Sequence, residues 1–416
     1  MFVGAYAPGT NHSSTRSLAS TRSRRPFRAL PKRAFRLESV SVRALPGRLT
    51  QERLWRGWTA RLAAMELFTR LVLERFPEVV ESRLAVNGLV RHFRRAQHTC
   101  GTLVVIHGIN PRGAFDLRLE HVAKAFAAIG FDVYMPNIPA LEQLLVQPSG
   151  IDQIEELVLN LTCDPKYCPD GKLSLFGASI SGAMSLIAAT RPSVRERIKA
   201  VCVVGGFAST ATVSQKILAL PPDADDYGRN VMFYNFLEHA LGPNEALKRA
   251  FYLAIHDNHF LRRGSEREEL PRYLQQVHPS VSALYWRLQN DVEYRMQIAE
   301  QVMDKTADLM RALSPVEYVH KLRCRHIALV HGKYDEVVPV SEAELLYTRL
   351  RAAGIETELC MTGFIGHGDK LVPPDSPVVV LQDALRMVET WASFIEVAAD
   401  KEDKKQVRLA VLDAAL

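Results

Sequence analysis

Residues 174–186 read SLFGASISGAMSL. The stretch starts at the end of a short apolar run, passes through the small-residue segment 177–182, and continues with small and apolar residues at helical spacing. A strand, a sharp turn and a helix form the setting in which G-x-S-x-G exposes a nucleophilic serine. Here Ser181 takes the fifth position of that pattern and glycine follows one place later. The stretch predicts a tight turn at Ser179, and the rest of the chain has to decide whether Ser179 is a nucleophile.

The composition is that of a globular protein. The chain has 416 residues, of which 47% are hydrophobic and 24% are charged. This length fits one large domain with an insertion, or two ordinary domains. No segment reaches the roughly 18 consecutive apolar residues of a membrane-spanning helix, so none is expected.

The basic residues are concentrated at the start of the chain. The net charge is +6, and residues 1–37 contain eight lysines and arginines with no acidic residue. We expect residues 1–47 to form a disordered basic arm. Such an arm can bind nucleic acid or an anionic membrane, but a solvated tail explains the composition without a nucleic-acid partner, so none is expected. The arm also resembles a transit peptide, or an extension upstream of a true start at Met65.

Cysteine usage favours a reducing compartment. The chain has only six cysteines, and no apolar stretch of secretory type follows the first charges. We therefore expect a cytoplasmic protein. Cys163 and Cys168 flank a short polar segment and could in principle pair.

Residues 48–78 are predicted to contain an amphipathic helix. Its large apolar residues cluster on one side, with arginines between them: Leu54, Trp55, Trp58, Leu62, Met65, Leu67 and Phe68. A basic amphipathic helix over residues 50–76 can lie on a membrane surface. It can also pack on the domain that follows, and this second interpretation is the favoured one.

From residue 79 onward, strand and helix patterns alternate. A hairpin turning at Asn87-Gly88 is followed by short apolar runs that read as buried parallel strands: GTLVVIHG (101–108), FDVYMPNIP (131–139), KLSLFG (172–177), IKAVCVVGG (198–206), RHIALVHG (325–332) and ETELCM (356–361). This alternation predicts a mostly parallel sheet with helices on both faces. We divide it into a core of residues 79–207 and 314–398, interrupted by a helical, aromatic-rich cap at 208–313. A charged tail follows at 399–416.

Each component of serine catalysis has a candidate after a predicted strand. The chemistry needs a hydroxyl, a base, a carboxylate that orients the base, and donors for the oxyanion. Asp335 follows the strand HIALV, and His367 lies in the glycine-flanked loop after ETELCM. The backbone N–H groups of Ile109 and Ile180 are the predicted oxyanion donors, because one lies in a glycine-containing loop and the other begins a helix.

These motifs together resemble the α/β-hydrolase family of the serine esterase and lipase type. The resemblance covers residues 79–207 and 314–398, and its motifs are HG after a strand, GASISG, HGKYDEVVP and GHGD. It implies an α/β-hydrolase fold with a helical cap, with Ser179 as nucleophile, Asp335 as acid and His367 as base. Ser181 departs from the family's glycine, and we expect only a slight adjustment of the turn.

The function expected from this resemblance is hydrolysis of a carboxylic ester through an acyl-enzyme. The expected substrate is a small molecule, apolar or lipid-like. Acyl transfer and thioester or peptide cleavage would use the same residues, and a noncatalytic protein with the same fold is a further alternative. No cofactor is expected. No metal site is expected either, because the HDNH segment (256–259) has no third ligand close by in the pattern. The oligomeric state cannot be read from the sequence.

Overall fold

The computed structural model describes residues 51–86, 88–95, 99–224, 226–258, 268–366 and 376–399, with side chains from residue 57 onward. The predicted arm (1–47) and nearly all of the predicted tail (399–416) lie outside these ranges. Within them, no helix is long and apolar enough to cross a membrane.

One eight-stranded sheet forms the centre of the structure. Its strands are β1 (Val79–Ala85), β2 (Leu89–Arg95), β3 (Thr102–Ile106), β4 (Asp132–Pro136), β5 (Leu173–Ala178), β6 (Ile198–Val204), β7 (His326–Gly332) and β8 (Glu356–Thr362). They lie in the order β1-β2-β4-β3-β5-β6-β7-β8. Strand β2 is antiparallel to both of its neighbours, and all pairs from β4 to β8 are parallel. The expectation of a mostly parallel sheet is confirmed, as is the hairpin of β1 and β2.

Fourteen helices are found in the described ranges. They are α1 (Gln51–Leu73), α2 (Leu117–Ala128), α3 (Pro139–Glu142), α4 (Ser149–Cys163), α5 (Ile180–Ala188), α6 (Thr210–Ala219), α7 (Tyr227–Leu241), α8 (Glu245–Asp257), α9 (Leu270–Gln276), α10 (Pro279–Asn290), α11 (Val292–Lys305), α12 (Ala307–Ala312), α13 (Val340–Ala352) and α14 (Pro377–Ala398). Helices α6 to α12 all fall between β6 and β7.

The continuous apolar runs become strands because both faces of the sheet are covered. In β3, Val104 and Ile106 belong to the core shared with α4 and α5, whereas Leu103 and Val105 belong to the core shared with α1, α2 and α14. All five residues of β3 are buried. Alternate side chains therefore supply two separate apolar layers, which explains why these strands show no polar face.

The two ends of the segment between β6 and β7 are bonded to each other where the segment joins the sheet. Thr210 Oγ1 donates to the carbonyl of Leu313 (2.7 Å), so the entering and leaving chain segments are bonded together. The buried carboxylate of Glu342, on α13, accepts from the amides of Ala208 (2.9 Å) and Ser209 (2.8 Å). This buried contact fixes α6 relative to the end of β6.

Helix α1 packs on the core, as favoured, with a face that overlaps the predicted stripe only in part. The buried residues are Ala60, Ala63, Ala64, Leu67 and Leu71. Several members of the predicted apolar stripe remain largely exposed instead, namely Trp58, Leu62 and Met65. The alanine face lets α1 approach α14 closely, and close approach brings more atoms into contact than the larger side chains would allow. Leu67, a member of the predicted stripe, is buried, and Phe68 packs against the same core, so the predicted packing face was partly correct.

Cys163 and Cys168, both within the described part of the chain, are not joined by a disulfide. Cys168 is buried, and burial raises the pKa of its thiol to about 11. Its Sγ donates to the carbonyl of Lys172 at 3.2 Å. It therefore acts as a small buried side chain at the base of β5.

Candidate active site

Ser179 lies on a strained turn between β5 and α5. Its backbone has φ 54° and ψ −125°, a positive-φ conformation that residues with a side chain rarely adopt. Its amide donates to the carbonyl of Val204 at the end of β6 (2.8 Å), which helps to hold the turn against the sheet. Backbone strain of this kind persists only where the surroundings enforce it, and it is common at catalytic positions.

Two glycines make this turn possible. A Cβ atom on Gly177 would lie 2.6 Å from the amide nitrogen of Gly182 and 2.7 Å from the carbonyl oxygen of Ser181. A Cβ atom on Gly182 would lie 2.6 Å from Val203 Cγ1. The glycines therefore allow α5 to start directly against β5. The glycine displaced to position 182 is required by this close contact, and not by an unusual φ angle.

Ser181 is fully buried and joins the turn to the neighbouring strand. Its hydroxyl accepts from the amide of Ala178 (2.9 Å) and lies 3.0 Å from the carbonyl of Ile106, to which it can donate. Ile106 ends β3, immediately before the loop that holds the predicted oxyanion donor. Serine at this position therefore adds a connection between the turn and that loop that glycine could not make.

The loop after β3 is held by His107. The imidazole Nε2 accepts from the amide of Ile138 (3.0 Å), and Nδ1 lies 2.7 Å from the carbonyl of Gly108. The bond to Ile138 requires an unprotonated Nε2, so the proton is on Nδ1. Burial lowers the pKa of His107, which favours this neutral form. His107 is therefore a structural support of the loop.

The helices between β6 and β7 also contact this loop. Tyr227, the first residue of α7, donates its hydroxyl to the carbonyl of Ile109 at 2.7 Å. Ile109 and Ile180, the predicted oxyanion donors, both line the cavity that contains Ser179. Ile180 is the first residue of α5, and the first amides of a helix have no partner within the helix. The position of the α6–α12 segment is thus coupled to the backbone at Ile109.

Asp335 lies in the turn that follows β7, and its side chain is buried. Its Oδ1 accepts from the amides of Val337 (3.0 Å) and Val338 (2.8 Å). These two bonds stabilise its negative charge and fix the orientation of the carboxylate. Its Oδ2 lies 3.7 Å from Nε2 of His331, which itself lies 3.0 Å from the carbonyl of Val338.

His367, the predicted base, lies outside the described residues. The segment leading to it is described as far as Gly366, and both Ile365 and Gly366 line the cavity with Ser179 and Asp335. A Cβ atom on Gly332 would lie 2.2 Å from the carbonyl of Ile365 and 3.6 Å from Cβ of Asp335. The chain leading to His367 therefore passes directly beside the turn of Asp335.

Asp383, on α14, ties these two loops together. One carboxylate oxygen accepts from Lys333 Nζ, just after β7 (2.6 Å), and the other accepts from the amide of Gly363, just after β8 (2.8 Å). The side chain of Asp383 is only 4% exposed, so its carboxylate is shielded from solvent. Asp383 thereby fixes the spacing between the loop of Asp335 and the loop that leads to His367.

Ser179 opens into an apolar cavity of about 280 Å³. One wall comes from α6 and α7: Val213, Ile217, Val231 and Met232. A second part of the wall comes from α1, α2 and α14: Leu71, Leu119, Met387 and Trp391. The polar pair Asp116 and Arg118, bonded at 2.8 Å, also lines the cavity. The cavity thus suits a ligand that is largely apolar.

Four of the five predicted site residues line this one cavity: Ser179, Ile109, Ile180 and Asp335. Sequence reasoning missed the supporting roles of Tyr227 and Asp383, and it treated Ser181 only as a tolerated departure from the pattern.

Among the described residues, no group of three or more histidine, cysteine, aspartate or glutamate side chains could hold a metal ion. His259, from the HDNH segment, is not among them.

Comparisons with known proteins find one family model and several solved structures that are similar to this chain. Residues 266–379 match the model of the prolyl oligopeptidase family, which is about a quarter of the chain. Among solved structures, esterase B from Lactobacillus rhamnosis has 13% identity and a TM-score of 0.45, covering 86% of this chain and 99% of its own. A brefeldin A esterase, described as a bacterial homologue of human hormone-sensitive lipase, has 16% identity and a TM-score of 0.42, covering 88% and 90%. The acylaminoacyl peptidase of Pyrococcus horikoshii has 14% identity and a TM-score of 0.43, covering 82% and 45%.

A search of curated protein sequences finds no significant match. The fold is established by the structure itself. The strand order, the antiparallel strand β2, the helices on both faces and the sharp turn at Ser179 agree with the α/β-hydrolase fold expected from the sequence. We therefore assign the α/β-hydrolase fold to this chain.

Proposed function

We propose that the protein is a serine hydrolase that cleaves carboxylic esters of small, apolar substrates. The observation that carries this proposal is the strained turn at Ser179, which opens into an apolar cavity also lined by Ile109, Ile180 and Asp335. A positive-φ serine between a strand and a helix is the geometry of a nucleophile elbow. A noncatalytic role would leave this backbone strain without a use.

The proposed reaction has the steps of serine acyl transfer. His367 accepts the proton of Ser179 as the hydroxyl oxygen attacks the ester carbonyl, and the N–H groups of Ile109 and Ile180 stabilise the oxyanion. The alcohol leaves with the proton from His367, and water then hydrolyses the acyl-enzyme. Asp335 orients His367, and its fixed carboxylate supports that role because two amides already determine where its oxygens lie.

Peptide cleavage is the second candidate. It is favoured by the match of residues 266–379 to the prolyl oligopeptidase family. The apolar character of both parts of the cavity wall favours the ester instead, because a peptide backbone brings polar groups that need hydrogen-bonding partners. Thioester cleavage and acyl transfer to an alcohol use the same acyl-enzyme and remain alternatives to hydrolysis of an oxygen ester.

The experiment is a substrate panel with the purified full chain. It compares nitrophenyl esters of increasing acyl length, acyl thioesters and peptide nitroanilides, with and without a competing alcohol. Ester turnover should exceed peptide turnover and should disappear in Ser179→Ala. Ser82→Ala is a matched control, because the Ser82 hydroxyl also lies near a histidine, 3.2 Å from Nδ1 of His92. Faster cleavage of the nitroanilides would favour the peptidase, and unchanged ester turnover in Ser179→Ala would refute the proposal.

A further inference from the structure

Two adjacent helices expose large apolar side chains to solvent. On α1, Trp58 is 63%, Leu62 43% and Met65 55% exposed. On α14, exposed apolar residues recur with helical spacing, with exposures of 57–62%: Val378, Leu381 and Leu385. Single exposed apolar residues are ordinary, but rows of them on neighbouring helices mark an interaction surface.

The two rows belong to one surface. Leu381, Leu385 and Glu389 are spaced by four residues, so they lie along one face of α14. Glu389 bonds Arg61 at 2.8 Å, and Arg61 lies between Trp58 and Met65 along α1. The ion pair therefore joins the exposed row of α1 to that of α14. We call these six residues and the Arg61–Glu389 pair the α1–α14 face.

The same two helices contribute to the cavity. Leu71 of α1, with Met387 and Trp391 of α14, lines the wall near Ser179. Phe68 of α1 also packs edge-on against Phe364, three residues before His367, with ring centroids 5.7 Å apart. The α1–α14 face is thus on the outer side of the helices whose inner side forms part of the site.

We propose that the α1–α14 face docks on an anionic lipid surface. The charge of the chain favours this occupant: residues 1–37, which precede α1, carry eight basic and no acidic residues. A basic segment in the same chain as an exposed apolar row is the combination that binds the headgroups and the acyl boundary of such a membrane. A second copy of the chain would bring a second basic arm to the same place, so charge repulsion opposes that occupant.

The test is co-sedimentation of the full chain with lipid vesicles. One set contains equal parts phosphatidylcholine and phosphatidylserine, and the other contains phosphatidylcholine alone. The variants are Trp58→Glu and Leu381→Glu, one on each helix. The matched control is Trp286→Glu, because Trp286 is 50% exposed on α10, in the segment between β6 and β7.

The wild type and Trp286→Glu should bind the anionic vesicles more tightly than the neutral ones, and high salt should weaken that binding. Trp58→Glu and Leu381→Glu should each bind on the order of tenfold less, because an apolar side chain no longer enters the lipid. Turnover of a short soluble ester by these variants should match the wild type, which shows that they are folded.

Three results would overturn the proposal. The first is an absence of binding by the wild type, and the second is an equal loss of binding in Trp286→Glu. The third is a wild-type dimer that both face variants convert to monomers, since the face would then belong to a second copy. Ser179→Ala should bind vesicles like the wild type, so failure of the catalytic proposal is seen separately.

Discussion

Substitution of Gly177 by alanine tests the geometry of the turn at Ser179. The new Cβ atom would lie 2.6 Å from the amide nitrogen of Gly182, and ordinary contact begins near 3.4 Å. The turn and the start of α5 must therefore separate by about 0.8 Å, since the atoms in the way are backbone and cannot rotate aside. A misplacement of about 1 Å at a reacting group costs about 100-fold in rate, and overpacking costs about 1–3 kcal/mol of stability.

Two measurements follow from this. We expect the second-order rate constant of labelling by a fluorophosphonate to fall about 10- to 100-fold in Gly177→Ala. The free energy of unfolding in urea should fall by about 1–3 kcal/mol. Gly108→Ala is the matched control, because the nearest atom to its Cβ would be the carbonyl of Ala178 at 3.8 Å. Wild-type labelling by Gly177→Ala, or an equal loss in Gly108→Ala, would refute the steric reasoning.

Three further predictions concern the groups around the site. Tyr227→Phe removes the bond to the Ile109 carbonyl and should lower kcat/KM about 3- to 10-fold, mainly through kcat. The control Tyr273→Phe loses a bond to Ala246 and should leave kcat/KM unchanged. Equal effects of the two variants would contradict the coupling of Tyr227 to the backbone at Ile109. Asp383→Asn should slow fluorophosphonate labelling by about tenfold or more, because the buried charged bond to Lys333 is lost. Glu389→Gln removes an exposed ion pair and should change the labelling rate little. A larger effect of Glu389→Gln than of Asp383→Asn would exclude Asp383 as the residue that connects the two loops. Burial lowers the pKa of His107 in the folded state, so the unfolded chain binds more protons and the free energy of unfolding should fall as the pH drops below about 6.5. Urea unfolding at about pH 7.5 and about pH 5.5 measures this difference in the free energy of unfolding. His107→Gln keeps an acceptor for the Ile138 amide and should lose less stability between the two pH values than the wild type. An equal loss of stability in His107→Gln would assign the pH effect to other groups.

The sheet could be predicted from the sequence because each strand has its own local pattern of residues. Continuous apolar runs such as residues 102–106 are typical of strands covered on both faces, and the hairpin of β1 and β2 has its own turn signal at Asn87-Gly88. Ser179 and Asp335 were predictable for the same reason, since each directly follows such a run. In a parallel sheet, the ends of these strands lie at one edge, which brings the two residues to one cavity.

The supporting contacts could not be predicted, because they join distant parts of the chain. The hydroxyl of Tyr227 bonds a carbonyl 118 residues away, and Asp383 bonds a lysine 50 residues away. Neither residue carries a local motif. The packing face of α1 was predicted only in part, for a related reason. Hydrophobicity correctly indicated Leu67 but also indicated the exposed Trp58 and Met65, and it did not indicate the buried alanines. A pattern that counts apolar residues does not reveal how closely a neighbouring helix can approach.

The central claim is that Ser179 is the nucleophile. Mass spectrometry of the full chain after treatment with a fluorophosphonate tests it most directly. We predict one adduct, located on the peptide that contains Ser179, present in the wild type and in Ser82→Ala and absent in Ser179→Ala. An adduct on another residue, or one that persists in Ser179→Ala, would contradict the claim.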